Sequence, residues 1–253
     1  MPKFDRYTLF ARLFPAIIAA APAIALAWAL VSWHSLSLTH AIAGTALAVL
    51  LMVFADVARR QGKKIEPRLI ERMGGLPSTI MLRHRDTTLD APAKERMHKL
   101  LACKLGEPAP SASDEENNPA TADGFYARAG TWLRENTRDQ KKFDILFNEN
   151  VTYGYRRNLF ALKWPALILN AAIVLGCAVA YWYELPQKYL IGLSPVFVIA
   201  FLHAVYLALF STEEAVREAA HTYARQLLLS TESPFLATAK PAAKPRAKKQ
   251  SST

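Results

Sequence analysis

The densest concentration of ligand-binding side chains lies at 148–158, where Asn148-Glu149-Asn150 is followed by Tyr153-Gly154-Tyr155-Arg156-Arg157-Asn158. Two adjacent guanidiniums offer forked donors for phosphate or carboxylate, and the amides and phenols add hydrogen bonds and stacking faces. That set suits a phosphate-bearing small molecule. It also suits a hinge at a membrane surface, with arginines on anionic lipid and tyrosines among the headgroups. Both readings use Asn148, Glu149, Asn150, Tyr153, Tyr155, Arg156, Arg157 and Asn158. Arg83 and Arg85 are available to the same surface.

Other motifs fail their chemical requirements. Arg83-His84-Arg85-Asp86 contains the letters of a kinase catalytic loop. A kinase also needs a Gly-rich loop, a strand lysine and Asp-Phe-Gly, and Asp123-Gly124-Phe125 has the wrong order. Gly62-Lys63-Lys64 lacks the preceding glycine of a phosphate-cradling loop. The 6 histidines form no His-Glu-x-x-His pair, and none joins a cysteine at zinc-ligand spacing. No catalytic residue, metal or cofactor is therefore expected, and the chain reads as a non-enzyme. Cys103 and Cys177 read as separate thiols, one cytoplasmic and one inside a span. Asn150-Val151-Thr152 matches a glycosylation sequon that a cytoplasmic position would leave unused.

These residues must be positioned by elements that the hydrophobic pattern shows. An apolar fraction of 52% and a mean hydropathy of +0.08 are close to those of soluble proteins, so any membrane signal is local. It sits in runs. Residues 13–55 contain no Asp, Glu, Lys or Arg, nor do 164–183, and 189–212 repeat the pattern. A spanning helix needs about 20 mainly apolar residues. The first run therefore supplies two passes (13–33 and 41–58), and the later runs supply one each (164–183 and 189–210).

The expected fold is all-α, with four transmembrane helices as two hairpins, 13–58 and 164–210. A helical domain at 59–163 is inserted between them. Residues 56–163 carry 20 Lys/Arg against 15 Asp/Glu, the arm at 1–12 is basic, and the chain from 213 onward has seven cations against four anions. Basic flanks resist translocation, which puts both termini and the middle domain in the cytoplasm. The first run also imitates a signal peptide, with Ala25-Leu26-Ala27 as a cleavage site. Its continuation through Trp28, Leu30 and Trp33 exceeds the usual apolar core of such a signal and favours retention.

Within the runs, Asp56, Asn170 and His203 are the polar outliers. Polar groups in lipid face a bundle interior or a path for ions, but an interhelical hydrogen bond is the plainer use for Asn170 and His203. Asp56 is one turn from Arg59 and Arg60 and reads as half of an interfacial ion pair. A kink is expected at Pro22.

The middle domain reads as helices separated by breaks. A short helix from Glu66 ends at Gly74-Gly75, residues 76–89 read as loop, and Asp90 caps a helix burying Met97, Leu100, Leu101 and Leu105. Residues 106–120 are Pro-, Ser- and acid-rich and read as a flexible linker. A second helix, 122–139, aligns Phe125, Ala129, Trp132 and Leu133. Gly154 is expected to break the approach to the third span. An amphipathic helix at 211–232 opens with a capping box of Ser211 and Glu214, and 233–253 reads as a disordered basic tail.

A formal charge of +10 raises nucleic acid as a partner, but the tail cations lie beside a bilayer whose anionic lipids attract them directly. The expected partners are anionic lipid, further copies of the chain, and a cytoplasmic protein or small ligand. Residues 74–90, Trp132-Leu133-Arg134-Glu135 and 142–163 resemble uncharacterised bacterial multi-pass proteins, which implies a bacterial inner membrane. The plan of four spans plus a small cytoplasmic domain is similar to small membrane effectors of bacterial defence systems. That resemblance implies a sensing part coupled to a membrane part. An oligomeric pore gated by the cytoplasmic domain is the alternative function.

Overall fold

The computed structural model describes residues 6–30, 38–183 and 187–237, with side chains at 38–40, 43 and 187–192 left aside. Every regular element among the described residues is helical. The long elements are α1 (Arg6–Leu30), α2 (Leu38–Arg72), α7 (Asp144–Trp182) and α8 (Gln187–Phe210). Between α2 and α7 lie α3 (Pro77–Leu82), α4 (Ala91–Leu105), α5 (Ala112–Asn117) and α6 (Pro119–Asn136). After α8 come α9 (Glu213–Leu229) and the short α10 (Pro234–Ala237).

The chain divides into two compact units. One is Met1–Leu69 with Asn150–Ala219, and the other is Ile70–Glu149 with Ala220–Thr253. The boundaries fall inside α2, α7 and α9.

In the first unit α1 packs on α8. Small residues make this possible: Ala16, Ala19 and Ala20 of α1 are fully buried with Phe54, Leu159, Leu162 and Leu207. Further along, Ala23 and Leu26 meet Ile173, Cys177, Leu193 and Val196. Three helices among the described residues are long and apolar enough to cross a membrane: Arg6–Leu30, Asp144–Trp182 and Leu193–Phe210. That is one fewer than the four spans expected. The expected second span, 41–58, forms the start of α2, where charges begin at Asp56 and continue through Arg59 and Arg60 without a helix break. Residues 31–37 and 184–186, where both tight turns were expected, lie outside the described residues.

The second unit has its own core. Met81, Leu82, Met97, Leu101, Phe125, Tyr126, Trp132, Leu133, Leu227 and Leu228 are buried together. Helix α4 starts as the sequence predicts, with Asp90 accepting from the Ala93 N–H at 3.1 Å, and stops at Gly106 in the left-handed conformation (φ 70°). Helix α2 ends before Gly74 and Gly75, whose φ of 78° and 129° only glycine adopts freely. The amphipathic face of α9 is partnered here, since Ala224, Leu227 and Leu228 join this core. Its cap is Thr212 rather than Ser211: the Thr212 hydroxyl accepts from the Ala215 N–H at 3.2 Å.

Several local expectations are corrected. Residues 77–82 are helical, started by Pro77 in the first turn, where its missing N–H costs nothing. The supposed linker holds α5, closed by a capping box between Ser111 and Asp114. Gly154 does not break α7: a Cβ there would lie 2.7 Å from the Tyr7 hydroxyl, so the glycine is a notch for α1. The expected disordered tail begins with α10, whose Leu236 is 1% exposed and whose Ala237 carbonyl accepts from Lys104 Nζ at 2.8 Å. Residues 238–253 lie outside the described residues.

Candidate functional site

The sequence-predicted cluster at 148–158 does not converge on one point. All of it lies on α7, where neighbours diverge by about 100°. Arg157 and Tyr153 are one turn apart and both turn to Glu66 of α2. Arg157 Nη1 donates to Glu66 Oε1 at 2.7 Å, and the Tyr153 hydroxyl donates to the same oxygen at 2.9 Å. The Arg157 guanidinium also lies 5.4 Å from the Tyr153 ring centre. Tyr155 turns elsewhere, its hydroxyl 2.9 Å from that of Tyr206. Arg156 lies 5.9 Å from the Tyr155 ring centre, and no carboxylate among the described residues pairs with it. Asn148 is exposed, and Glu149 and Asn150 are half-buried.

Asn158 is 1% exposed and donates its amide to the Ala11 carbonyl of α1 at 2.7 Å. The sequence of α1 explains this bond. Ala11 would ordinarily receive the N–H of residue 15, but that residue is proline and has none. The turn Leu9–Leu13 is widened to a π-helix at the same place. Gly62 of α2 supplies the room, since a side chain there would collide with Asn158 Oδ1.

The polar outliers of the apolar runs follow the same rule in part. Pro22 removes the N–H due to the Ile18 carbonyl. The buried His203 ring of α8 faces that carbonyl without completing a hydrogen bond of full geometry. Asn170 donates to the Ala200 carbonyl at 2.9 Å. Asp56 pairs with Arg60 at 2.8 Å on an exposed surface, the i,i+4 pair that the sequence predicts.

The second unit contains a site that the sequence did not single out as such. The loop after α3 carries Arg83-His84-Arg85-Asp86, and the buried Glu115 of α5 holds it. Glu115 accepts from the His84 N–H at 2.8 Å and from the Tyr126 hydroxyl at 2.9 Å, with Arg85 Nε at 3.8 Å. Arg83 grips Asp123 through two parallel bonds of 2.9 and 2.8 Å. Lys94 of α4 donates to the carbonyls of Arg83 and Asp86 at 2.7 and 2.5 Å. The loop is thereby fixed from three helices.

Two imidazoles border this loop. His98 Nε2 donates to the Leu82 carbonyl at 2.8 Å, and His84 Nε2 donates to the Pro110 carbonyl at 2.9 Å. A carbonyl can only accept, so each ring carries a proton on Nε2. The rings meet edge to face at 4.9 Å, and His98 stacks on Tyr126 at 5.5 Å. Together with Asp86, Thr87, Asp90, Lys94 and Glu95 they line a cleft of 580 Å³.

The electrostatics follow from burial and from these bonds. Burial lowers the pKa of His98, opposed by its bond to Leu82, and burial also lowers that of Lys94. Burial alone would raise Glu115, but the bonds from the His84 N–H, the Tyr126 hydroxyl and the Arg85 N–H hold it below the usual carboxylate range. Arg83 is raised chiefly by its bond to Asp123. Tyr126 is pushed up by burial and then by Glu115.

Chemically the cleft is lined by two imidazoles, carboxylates, a lysine and one hydroxyl on a fixed frame. No group of His, Cys, Asp and Glu among the described residues is arranged to hold a metal ion. The signal that the sequence offered for this cleft was the density of charge at 83–86. The chain matches no family model, no curated protein and no solved structure.

Proposed function

We propose that this chain is a non-enzymatic integral membrane protein whose cytoplasmic helical unit binds a partner or signal. The supporting observation is a division of surface. Large apolar side chains such as Met52, Trp164, Ile168, Leu175, Phe201 and Leu209 stand exposed on the first unit. In the second unit, Ile145 and Phe235 alone among the described residues do so. Lipid is the solvent that suits the first surface, and water suits the second.

In this reading the start of α2 is the fourth span, paired with α1 as α8 is with α7. From Leu38 to Ala55 it carries no formal charge, and its length of about 27 Å nearly matches a bilayer core. The basic flanks orient the second unit toward the cytoplasm. The resemblance to bacterial proteins makes the membrane a bacterial inner membrane. Self-association belongs to the same reading, because exposed helix faces serve other subunits as well as lipid. The cleft at His84 and His98 is the receiving surface, its loop already fixed and so binding without an ordering cost.

The polar groups of the spans speak against a pore. Asn170 and His203 each face a main-chain carbonyl of another helix rather than an open path. Purified protein in sealed liposomes should therefore retain trapped ions and dye, and leakage would replace this reading with the pore. The exposed thiol of Cys103 reports orientation. An impermeant maleimide should label it in inverted vesicles and leave it untouched in intact spheroplasts. A photo-cross-linking residue at Thr87 should give a discrete adduct in cells, and its absence would remove the cleft from the proposal.

A further inference from the structure

A second concave surface lies in the first unit, sharing only Ile18, Tyr155 and Arg156 with the sites described above. It is a groove of 440 Å³ between α1 and the first part of α7, lined by Phe10, Phe14, Ile17, Ile18, Val151, Thr152, Tyr155 and Arg156. Its volume is within the range of about 300–1,000 Å³ that small-ligand sites occupy.

The groove is polarised along its length. Ile17 and Ile18 belong to the uncharged run that begins at Leu13, whereas Arg156 precedes Lys163 and Trp164, where the apolar run of α7 starts. The apolar end is therefore at membrane depth and the cationic end at headgroup level. The two neighbouring arginines differ sharply. Arg157 is held by Glu66 at 2.7 Å, with its side chain 12% exposed. Arg156 has no carboxylate partner among the described residues and rests on the face of Tyr155. A cation without an anion among the described residues, beside an apolar trough, is complementary to an acyl chain carrying a negative headgroup.

We infer that this groove binds one anionic phospholipid, its phosphate on Arg156 and an acyl chain along Phe10, Phe14 and Ile17. The inference rests on the membrane reading but is independent of the cleft in the second unit. A protein that resides in lipid but binds nothing at the cleft would still hold this lipid.

Native mass spectrometry of the full chain in detergent tests it, with phosphatidylglycerol and phosphatidylcholine of identical chains added at equal concentration. A single phosphatidylglycerol adduct should persist at energies that strip phosphatidylcholine. Arg156→Gln should reduce that adduct about fivefold, the effect of one cation at an anionic surface, and Arg156→Lys should restore most of it. Ile17→Trp fills the apolar end and should lower retention of phosphatidylglycerol while Arg156 is intact. Helical content by circular dichroism confirms that each variant is folded. Equal retention of the two lipids, or an unchanged adduct in folded Arg156→Gln, would overturn the proposal. Displacement of the lipid by millimolar inorganic phosphate would overturn it in favour of a soluble anion.

Discussion

Each unit is organised around one glutamate that binds a phenol and pairs with an arginine, yet the two carboxylates do different work. Glu66 receives Tyr153 and Arg157, both from α7, and so clamps one long helix to another. Glu115 receives the His84 N–H, the Tyr126 hydroxyl and, more distantly, Arg85, and so pins a loop. The surroundings explain the difference. The first unit leaves many outer side chains apolar and exposed, and Glu66 joins two of its long helices. The second buries its apolar side chains in its own core and can use polar groups to shape a surface. The same three residue types thus make a fastening between helices in one unit and a fixed loop in the other.

The largest effect should come from breaking the fastening. Glu66→Ala leaves the part-buried Arg157 charge without its carboxylate and should cost about 3 kcal/mol, the low end for a broken ion pair, in denaturant unfolding of the purified protein. The double replacement Glu66→Leu with Arg157→Met should recover most of that loss, because a buried pair exchanged for apolar residues is often neutral. If the double variant is as unstable as Glu66→Ala, the clamp is not what the charge pair provides.

Glu115→Ala comes next, at about 1–3 kcal/mol per buried partner left unsatisfied. Its clearest readout is limited proteolysis. Residues 106–120 should resist cleavage in the native protein and be cut rapidly in the variant. Equal cleavage in both would restore the linker reading of that segment.

The smallest effect concerns the proline-freed carbonyl. Asn158→Leu should cost about 1–2 kcal/mol, since the Ala11 carbonyl then loses the Asn158 amide. In a Pro15→Ala background the helix regains its own N–H, and the same substitution should cost measurably less. A double-mutant cycle reads this difference directly, and a coupling of zero would separate Asn158 from Pro15.

Particular residues show which features were legible in advance. The core faces of α4 and α6 could be read because Met97, Leu101, Phe125, Ala129 and Leu133 recur at helical spacing. The segment 106–120 could not, because Glu115 is held by partners such as the His84 N–H, which lies 31 residues away. Composition measures how well a segment supports itself, and α5 is supported from outside. The arrangement of the cluster at 148–158 was not legible for the opposite reason. Its density is local to one helix, which points adjacent side chains in different directions.

The sequence by itself determined the uncharged runs, the basic flanks, the helical periodicity and the glycine stops, since each depends on near neighbours along the chain. Only the tertiary structure decided that Arg157 is consumed while Arg156 pairs with no carboxylate among the described residues, and that Asn158 answers Pro15. It alone decided that Glu115 fixes the loop at His84. Those outcomes depend on which helix lies opposite which. In a chain of alternating polar and apolar helices, a group's partner is set by packing rather than by its position in the sequence.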